Sequence, residues 1–203
     1  MVSEDRRSRR SRRLLREAFV ALVLEHGFAA VTVEDITERA DLSRATFYGH
    51  YTDKDALLDA VVTELIEEMQ RRLQPLVANS VKGFTGKPVL ELFRHAAEER
   101  DAYRVVLRGE GDGRALRRFV EDRATTTATV FAARAAAAGV ELRIPADMLA
   151  RAWVGEMIQV MAWWLEQGIP QSAEEITDEL LKLSLRGRYW ASGFDDLPPV
   201  RPS

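Results

Sequence analysis

An all-α fold follows from three features of the sequence. Apolar residues recur at helical spacing through nearly the whole chain, β-branched residues nowhere alternate over a useful length, and glycine and proline cluster between the periodic segments. The 203 residues are 46% hydrophobic and 30% charged, with 12 Gly and 7 Pro, which excludes collagen-like, mucin-like and mainly disordered chains. At about 150 residues per domain, the length suits one large domain or two small ones.

Each element has its own signal. Leu14, Leu15, Ala18, Phe19, Leu22 and Val23 line one face of a first helix, which Gly27 stops. Thr32 with Asp35 is an N-cap pair for a second helix carrying Val33, Ile36 and Ala40, barely two turns long. Asp41-Leu42-Ser43 reads as a tight turn, and Ser43 caps a third short helix from Arg44 to about His50. Thr52, with Asp55 at the capping-box position, opens a fourth helix whose apolar series runs from Leu57 to Leu73. The breaker-rich stretch from Pro75 to Pro88 predicts a flexible connection. Four further helical segments follow, at 89–108, 113–138, 146–167 and 173–191, the last preceded by a Ser172–Glu175 capping box. The proline-containing tail from Phe194 is expected to be disordered.

The net charge of −3 conceals a polarity along the chain. Residues 1–16 carry seven Arg against Glu4 and Asp5, whereas residues 55–203 carry 19 basic and 23 acidic side chains. The amino end therefore seeks anions. No cysteine is present, which removes disulfides, thiolate metal sites and Cys nucleophiles and fits a reducing compartment. The three histidines, 26, 50 and 95, are too far apart to make a helical metal pair. No apolar signal segment follows Met1, and the longest apolar stretch, 148–165, is interrupted by Arg151, Glu156 and Gln159. A cytoplasmic location is expected, with no cofactor and no metal.

Two short helices joined by a tight turn, after one long helix and before another, have the spacing of a helix-turn-helix DNA reader. In the third helix Phe47 and Tyr51, four residues apart, face a core of Phe19, Leu22, Ile36 and Leu57. Arg44 and Tyr48 share another face with Ala45 and Gly49 beside them, a surface that a duplex edge fits.

These residues resemble the tetracycline-repressor (TetR/AcrR-type) family of bacterial transcriptional regulators. The resemblance is carried by 31–36 (Val-Thr-Val-Glu-Asp-Ile), 40–51 (Ala-Asp-Leu-Ser-Arg-Ala-Thr-Phe-Tyr-Gly-His-Tyr) and 53–58 (Asp-Lys-Asp-Ala-Leu-Leu). It covers about residues 12–62, and the family usually has Phe at the place of Tyr51 and a larger residue at that of Gly49. It implies that Thr32, Ser43, Thr46, Tyr48, His50 and Lys54 hold phosphates, and that Arg44, Ala45 and Gly49 face base edges. Hydroxyls and amides at helix N-termini suit phosphate oxygens. Arg44, the long donor fork of the first turn, suits guanine O6 and N7, a contact worth ~1–3 kcal/mol in discrimination. Thr32 and Ser43 are also caps whatever else they touch. The Arg run at 6–13 is either a solvated, disordered arm or a basic arm along or in the minor groove.

For the second half the resemblance implies a homodimer through the last two helices, and a small-molecule effector bound between the helices of residues 89–165. Residues 148–165 are apolar nearly all round, as a helix buried on more than one side must be, and Gly155 permits close approach. Candidate pocket walls are Phe93, Tyr103, Leu107, Phe119, Phe131, Trp153, Met157 and Met161, for each of which plain core packing is the alternative. Arg104 and Glu156 are charges among apolar positions; they pair with protein charges, line a polar interface or face a ligand. The expected organisation is a basic arm (1–13), a helix-turn-helix domain (14–52), a connecting helix (53–74), an effector-binding and dimerisation domain (75–193) and a tail (194–203). In that scheme the effector favours a dimer whose recognition helices are wrongly spaced, through a pivot of the connecting helix.

Other functional classes find less support in the residues. The glycine run 109–113 follows a helix and lacks a Lys-Ser/Thr ending, and no His-Glu-x-x-His or Gly-x-Ser-x-Gly occurs, so no catalytic constellation is legible. A non-specific or architectural DNA-binding protein using the Arg arm, and a helix-turn-helix module acting on protein partners, remain as alternatives.

Overall fold

A computed structural model describes residues 2–78 and 86–191, and every regular element among them is a helix. The helices are α1 (Val2–His26), α2 (Val33–Arg39), α3 (Arg44–Tyr48), α4 (Lys54–Ala78), α5 (Lys87–Glu98), α6 (Arg100–Leu107), α7 (Arg114–Ala138), α8 (Ala146–Glu166) and α9 (Ala173–Ala191). Contacts divide them into two compact units, 1–72 with 99–125 and 73–98 with 126–203. The boundaries fall inside α4, between α5 and α6, and inside α7. Where the sequence groups everything from 75 to 193, the contacts put α6 and the first half of α7 with the amino-terminal helices.

In the first unit α1 packs against α2 and α6, and α2 against α3. Leu15, Phe19, Ile36, Phe47, Leu57, Leu58 and Val62 are fully enclosed, as their spacing predicts. Gly27 ends α1 with φ 78°. The turn between α2 and α3 passes through Asp41 at φ 52°, a left-handed conformation that Asp adopts more readily than most residues. Both expected caps are present: Thr32 Oγ1 accepts from Asp35 N (3.2 Å) and Ser43 Oγ from Thr46 N (3.1 Å).

Four expectations are corrected. The arm at 1–13 is no separate segment, because α1 starts at Val2; arginine is a good helix former and nothing before Gly27 breaks the helix. The cap of α4 is Asp53, whose carboxylate accepts from Ala56 N at 2.7 Å, and Asp55 is instead paired with Arg114. Helix α4 continues past Pro75, which lies one turn from its end and so removes a single donor there. The segment 89–108 is two helices, parted at Glu99 (φ −101°, ψ 31°), whose carboxylate is held by Arg16 at 2.6 Å. Residues 79–85 of the connection expected from Pro75 to Pro88, and the tail from Phe194, lie outside the described residues.

The α6–α7 loop is closely packed despite its glycines. Gly111 (φ 65°) has no room for a side chain, since a Cβ there would lie 2.6 Å from Leu58 Cδ2. Behind it Arg114 Nε approaches Asp59 at 3.7 Å, and Arg118 donates to the Asp59 carbonyl (3.2 Å) and Thr63 Oγ1 (2.8 Å).

In the second unit α5 packs against α9 and α8, and α8 against α9. Phe93 meets Trp164 edge-on at 5.4 Å, both fully buried, and Trp164 Nε1 donates to the Gln171 carbonyl at 3.0 Å. Arg94 joins α5 to α9 through Glu174 (2.5 Å), and the Ser172–Glu175 box is closed by bonds of 2.8 and 3.2 Å. Phe93→Ala is expected to destabilise this unit by ~3–5 kcal/mol. A urea midpoint no further from wild type than that of a surface control such as Ser184→Ala would refute this packing assignment.

Candidate nucleic-acid interface

Helix α3 has only five residues and is fixed from its inner side. Phe47 is fully buried and Tyr51 nearly so, their rings 5.7 Å apart, and Phe47 also meets Tyr48 edge-on at 5.5 Å. Arg44, Ala45, Tyr48 and Gly49 consequently face solvent, with Tyr48 58% exposed, while Thr46 and His50 are half-buried. Gly49 has φ −72° and an added Cβ would meet only carbonyl oxygens at 3.4 Å, so the backbone does not require glycine there. Its missing side chain leaves the α3 backbone open on that face.

The hydroxyls near this face are already engaged. Thr32 Oγ1 donates to Asp35 Oδ2 at 2.6 Å, which holds that carboxyl below its usual range, and Ser43 and Thr46 hydroxyls share a 2.9 Å bond. Arg44 Nη2 lies 2.5 Å from Glu34 Oε2, an exposed ion pair that the sequence reading missed. The two span the turn, on the rim of a groove of about 400 Å³ bounded also by Thr37, Glu38, Asp41, Leu42 and Ser43. An exposed pair of this kind contributes ~0–1 kcal/mol, so Arg44 can leave it for a better acceptor.

Lys54 does different work from that expected. Its Nζ donates to the carbonyls of Phe28 (2.8 Å), Val31 (2.8 Å) and Ala29 (3.3 Å), and it sits 4.5 Å over the Phe28 ring. All three ammonium hydrogens are thereby spent on the turn between α1 and α2. Glu110 completes the arrangement by accepting the Phe28 N–H at 2.9 Å. Neither partner was visible in the sequence, because they lie 23 to 26 and 82 residues from the groups they bind.

The candidate effector residues fall in different units. Tyr103, Arg104, Leu107 and Phe119 belong to the first, and Phe93, Phe131, Trp153, Glu156, Met157 and Met161 to the second. Tyr103 and Phe119 are buried edge-to-face at 5.7 Å, and the Tyr103 hydroxyl points at Met69 Sδ, 4.0 Å away. Burial pushes the Tyr103 phenol far above its usual range. Arg104 pairs with Asp101 at 3.3 Å. Phe93, Met157 and Met161 are buried, and Phe131, Trp153, Glu156 and Leu107 half-buried. Sequence reading did not single out buried Arg123, paired with its neighbour Asp122 (Nε–Oδ2 2.9 Å), or buried His95. Among the described residues no helix is long and apolar enough to cross a membrane, and no cluster of three acidic or His side chains could hold a metal ion.

Two family models match the chain: bacterial regulatory proteins of the tetR family over residues 15–61, and a transcriptional regulator C-terminal region over 87–186. An HTH-type transcriptional regulator of Bacillus subtilis, YxbF, is 36% identical over 84 residues, 41% of this chain and 22% of that protein. The HTH-type transcriptional repressor DhaR of a Mycobacterium species is 32% identical over 62 residues, 30% of this chain and 31% of its own length. The matched part thus spans less than a third of either relative. In fold the chain is similar to a TetR-family regulator from Syntrophomonas wolfei (TM-score 0.71, 14% identity, 94% and 98% of the two chains). It is also similar to Thermus thermophilus FadR, a repressor solved with lauroyl-CoA (TM-score 0.59, 19% identity, 95% and 100%).

Two outcomes are expected from this geometry. Lys54→Met, which keeps the stem and removes the charged donors, should cost the first unit ~2–3 kcal/mol and raise amide exchange at 28–31; unchanged exchange there would show that the three bonds do not hold the turn. For Tyr103 the folded pKa lies above the unfolded one, so its stabilisation is complete below about pH 10 and declines as pH rises beyond it, by up to about 1.4 kcal/mol per unit. Tyr103→Phe should flatten the alkaline limb of a stability profile, and an equally steep limb in the variant would refute this.

Proposed function

The chain belongs to the TetR family of bacterial regulatory proteins, and from that premise we propose that it is a repressor, binding a near-palindromic operator as a homodimer and released by a small-molecule effector. It is a DNA-binding transcriptional regulator; the mode of action and the residue roles below are our reading. The observation that carries it is the division of α3 into a buried Phe47–Tyr51 side and an exposed Arg44, Ala45, Tyr48 and Gly49 side.

On DNA, Arg44 exchanges Glu34 for a guanine edge, and Ala45 and Gly49 let the groove floor approach. Tyr48, His50 and the hydroxyls of Thr32, Ser43 and Thr46 serve phosphates, the hydroxyls by reorienting from their present acceptors. Lys54 acts on the turn and so positions Thr32 beside the strand. Exposed Trp163 (49%), Met148 (63%) and Leu185 (70%) on α8 and α9 support pairing of these helices with a second copy. Two recognition helices then meet major grooves one turn, ~34–36 Å, or multiples apart. Repression is supported by the name of the DhaR relative, and an effector by the lauroyl-CoA complex of Thermus FadR, a protein of like fold. The effector acts by favouring a conformation with the wrong helix spacing, with α4 as the moving element.

Selection from random duplex at ~0.15 M salt tests this, specific binding being expected at ~10³- to 10⁷-fold over random DNA. One near-palindrome should emerge. Arg44→Ala should weaken it about 5- to 150-fold per half-site and relax one position in each. Glu34→Gln should strengthen binding by up to about fivefold per half-site, since it frees the guanidinium. Enrichment of no sequence, or an Arg44→Ala variant with unaltered preference, would overturn the assignment.

A further inference from the structure

We propose that the first turns of α1 form a rigid, helical phosphate ridge that grips the DNA backbone beside the operator without entering the minor groove. The proposal rests on the DNA-binding reading above. Residues 6–16 contain seven arginines and no acidic side chain. Arg16 turns inward to Glu64 (3.0 Å) and Glu99 (2.6 Å), whereas Arg6, Arg7, Arg9, Arg10, Arg12 and Arg13 are exposed. Ser11 and Leu15, on the other side of the helix, are buried, which fixes the rotation of α1 about its axis and hence the outward direction of the arginines.

Helicity decides the mode of contact. A helix is ~10–12 Å across with its side chains, and the minor groove is ~6 Å wide, against ~12 Å for the major groove. A basic arm can thread the minor groove only as extended chain, and this one is helical from Val2. Arg6, Arg9, Arg10 and Arg13 stand at i, i+3, i+4 and i+7, which places them on one stripe, ~4.5–6 Å apart along the axis between neighbouring turns. These side chains are exposed, and the ion pair that Arg13 makes with Glu17 (3.9 Å) is an exposed one worth ~0–1 kcal/mol, which a phosphate can replace. Duplex DNA offers one negative charge per ~1.7 Å of its axis, dense enough to meet each of them. Between these arginines stands only serine, with no apolar or amide group to read a base, so the contact is with phosphate and carries no sequence preference. The ridge also lies outside both matched family regions, the first of which begins at residue 15.

The test compares the full-length protein with three variants on the selected operator and on an unrelated duplex, across a salt series. The first variant carries Arg6→Gln, Arg7→Gln, Arg9→Gln and Arg10→Gln; the second carries Lys at the same four positions. The third is Ser8→Pro, which keeps every charge and breaks the helix, with circular dichroism as the check. The Gln variant should lose about 0.9 from the salt slope for each phosphate released, and at least tenfold in affinity on both duplexes, leaving their ratio unchanged. The Lys variant should stay within about threefold of wild type, and Ser8→Pro should follow the Gln variant. A wild-type slope in the Gln variant would overturn the ridge, and wild-type binding by Ser8→Pro would replace it with a flexible arm. If wild type shows no sequence preference but the slope still falls in the Gln variant, the operator reading fails and the ridge stands.

Discussion

Three carbonyl oxygens of the turn between α1 and α2 point at one spot, and an ammonium group occupies it. Without the Lys54 charge the oxygens of Phe28, Ala29 and Val31 would repel one another in a partly enclosed site with no regular hydrogen bonding. The same residue holds the Phe28 ring beneath it, and that ring packs edge-on against Phe19 at 6.1 Å. Since Thr32, the cap of α2, directly follows Val31, the path of this turn sets the direction of α2, and through the Asp41 turn that of α3. The exposed face of α3 thus depends on a lysine that lies outside both α2 and α3.

Short-range structure was legible in the sequence because its causes are short-range. The caps at Thr32, Ser43 and Ser172, the stop at Gly27 and the inward pair Phe47 and Tyr51 each depend on groups within about four residues. What sequence reading missed depends on partners far along the chain. Glu110 on the Phe28 amide, Arg16 on Glu99 and Arg114 on Asp55 bridge 82, 83 and 59 residues, and no periodicity encodes such pairings. The cap of α4 was misplaced for a similar reason: Thr52 and Asp53 are both good caps, and Asp55 is drawn to Arg114. Composition misled in one place, since a run of arginine and serine looks disordered, yet it continues a helix already nucleated by Leu15 and Phe19.

The candidate site was legible in its residue types and less so in their present partners. Arg44 was found from its place in the first turn of α3, but Glu34, ten residues earlier, was not paired with it, because the turn that brings them together runs through a left-handed Asp41. The exposed face of α3 accordingly carries a cation that is neutralised by its own chain. The effector candidates were chosen as aromatic, sulfur-bearing or charged residues, and their distribution between two compact units could not be seen, since α6 has no sequence signal that assigns it to the amino-terminal helices.

The loop at 109–113 would pass for a tether by composition, yet its middle glycine is wedged between Leu58 and the ring of Phe28. The three glycines are therefore unequal in what a substitution would meet. A Cβ added at Gly109 would find its nearest neighbours at 3.8 Å or beyond, and one at Gly113 would meet the movable end of Arg117 at 3.2 Å, whereas a methyl group at 111 would press on the side chains beneath the helix-turn-helix. A side chain at the two outer positions meets the backbone's left-handed angles and, at 113, a movable guanidinium; at the centre it also meets the hydrophobic core, so a mutation in this loop is a core mutation at one position and a surface one at its neighbours.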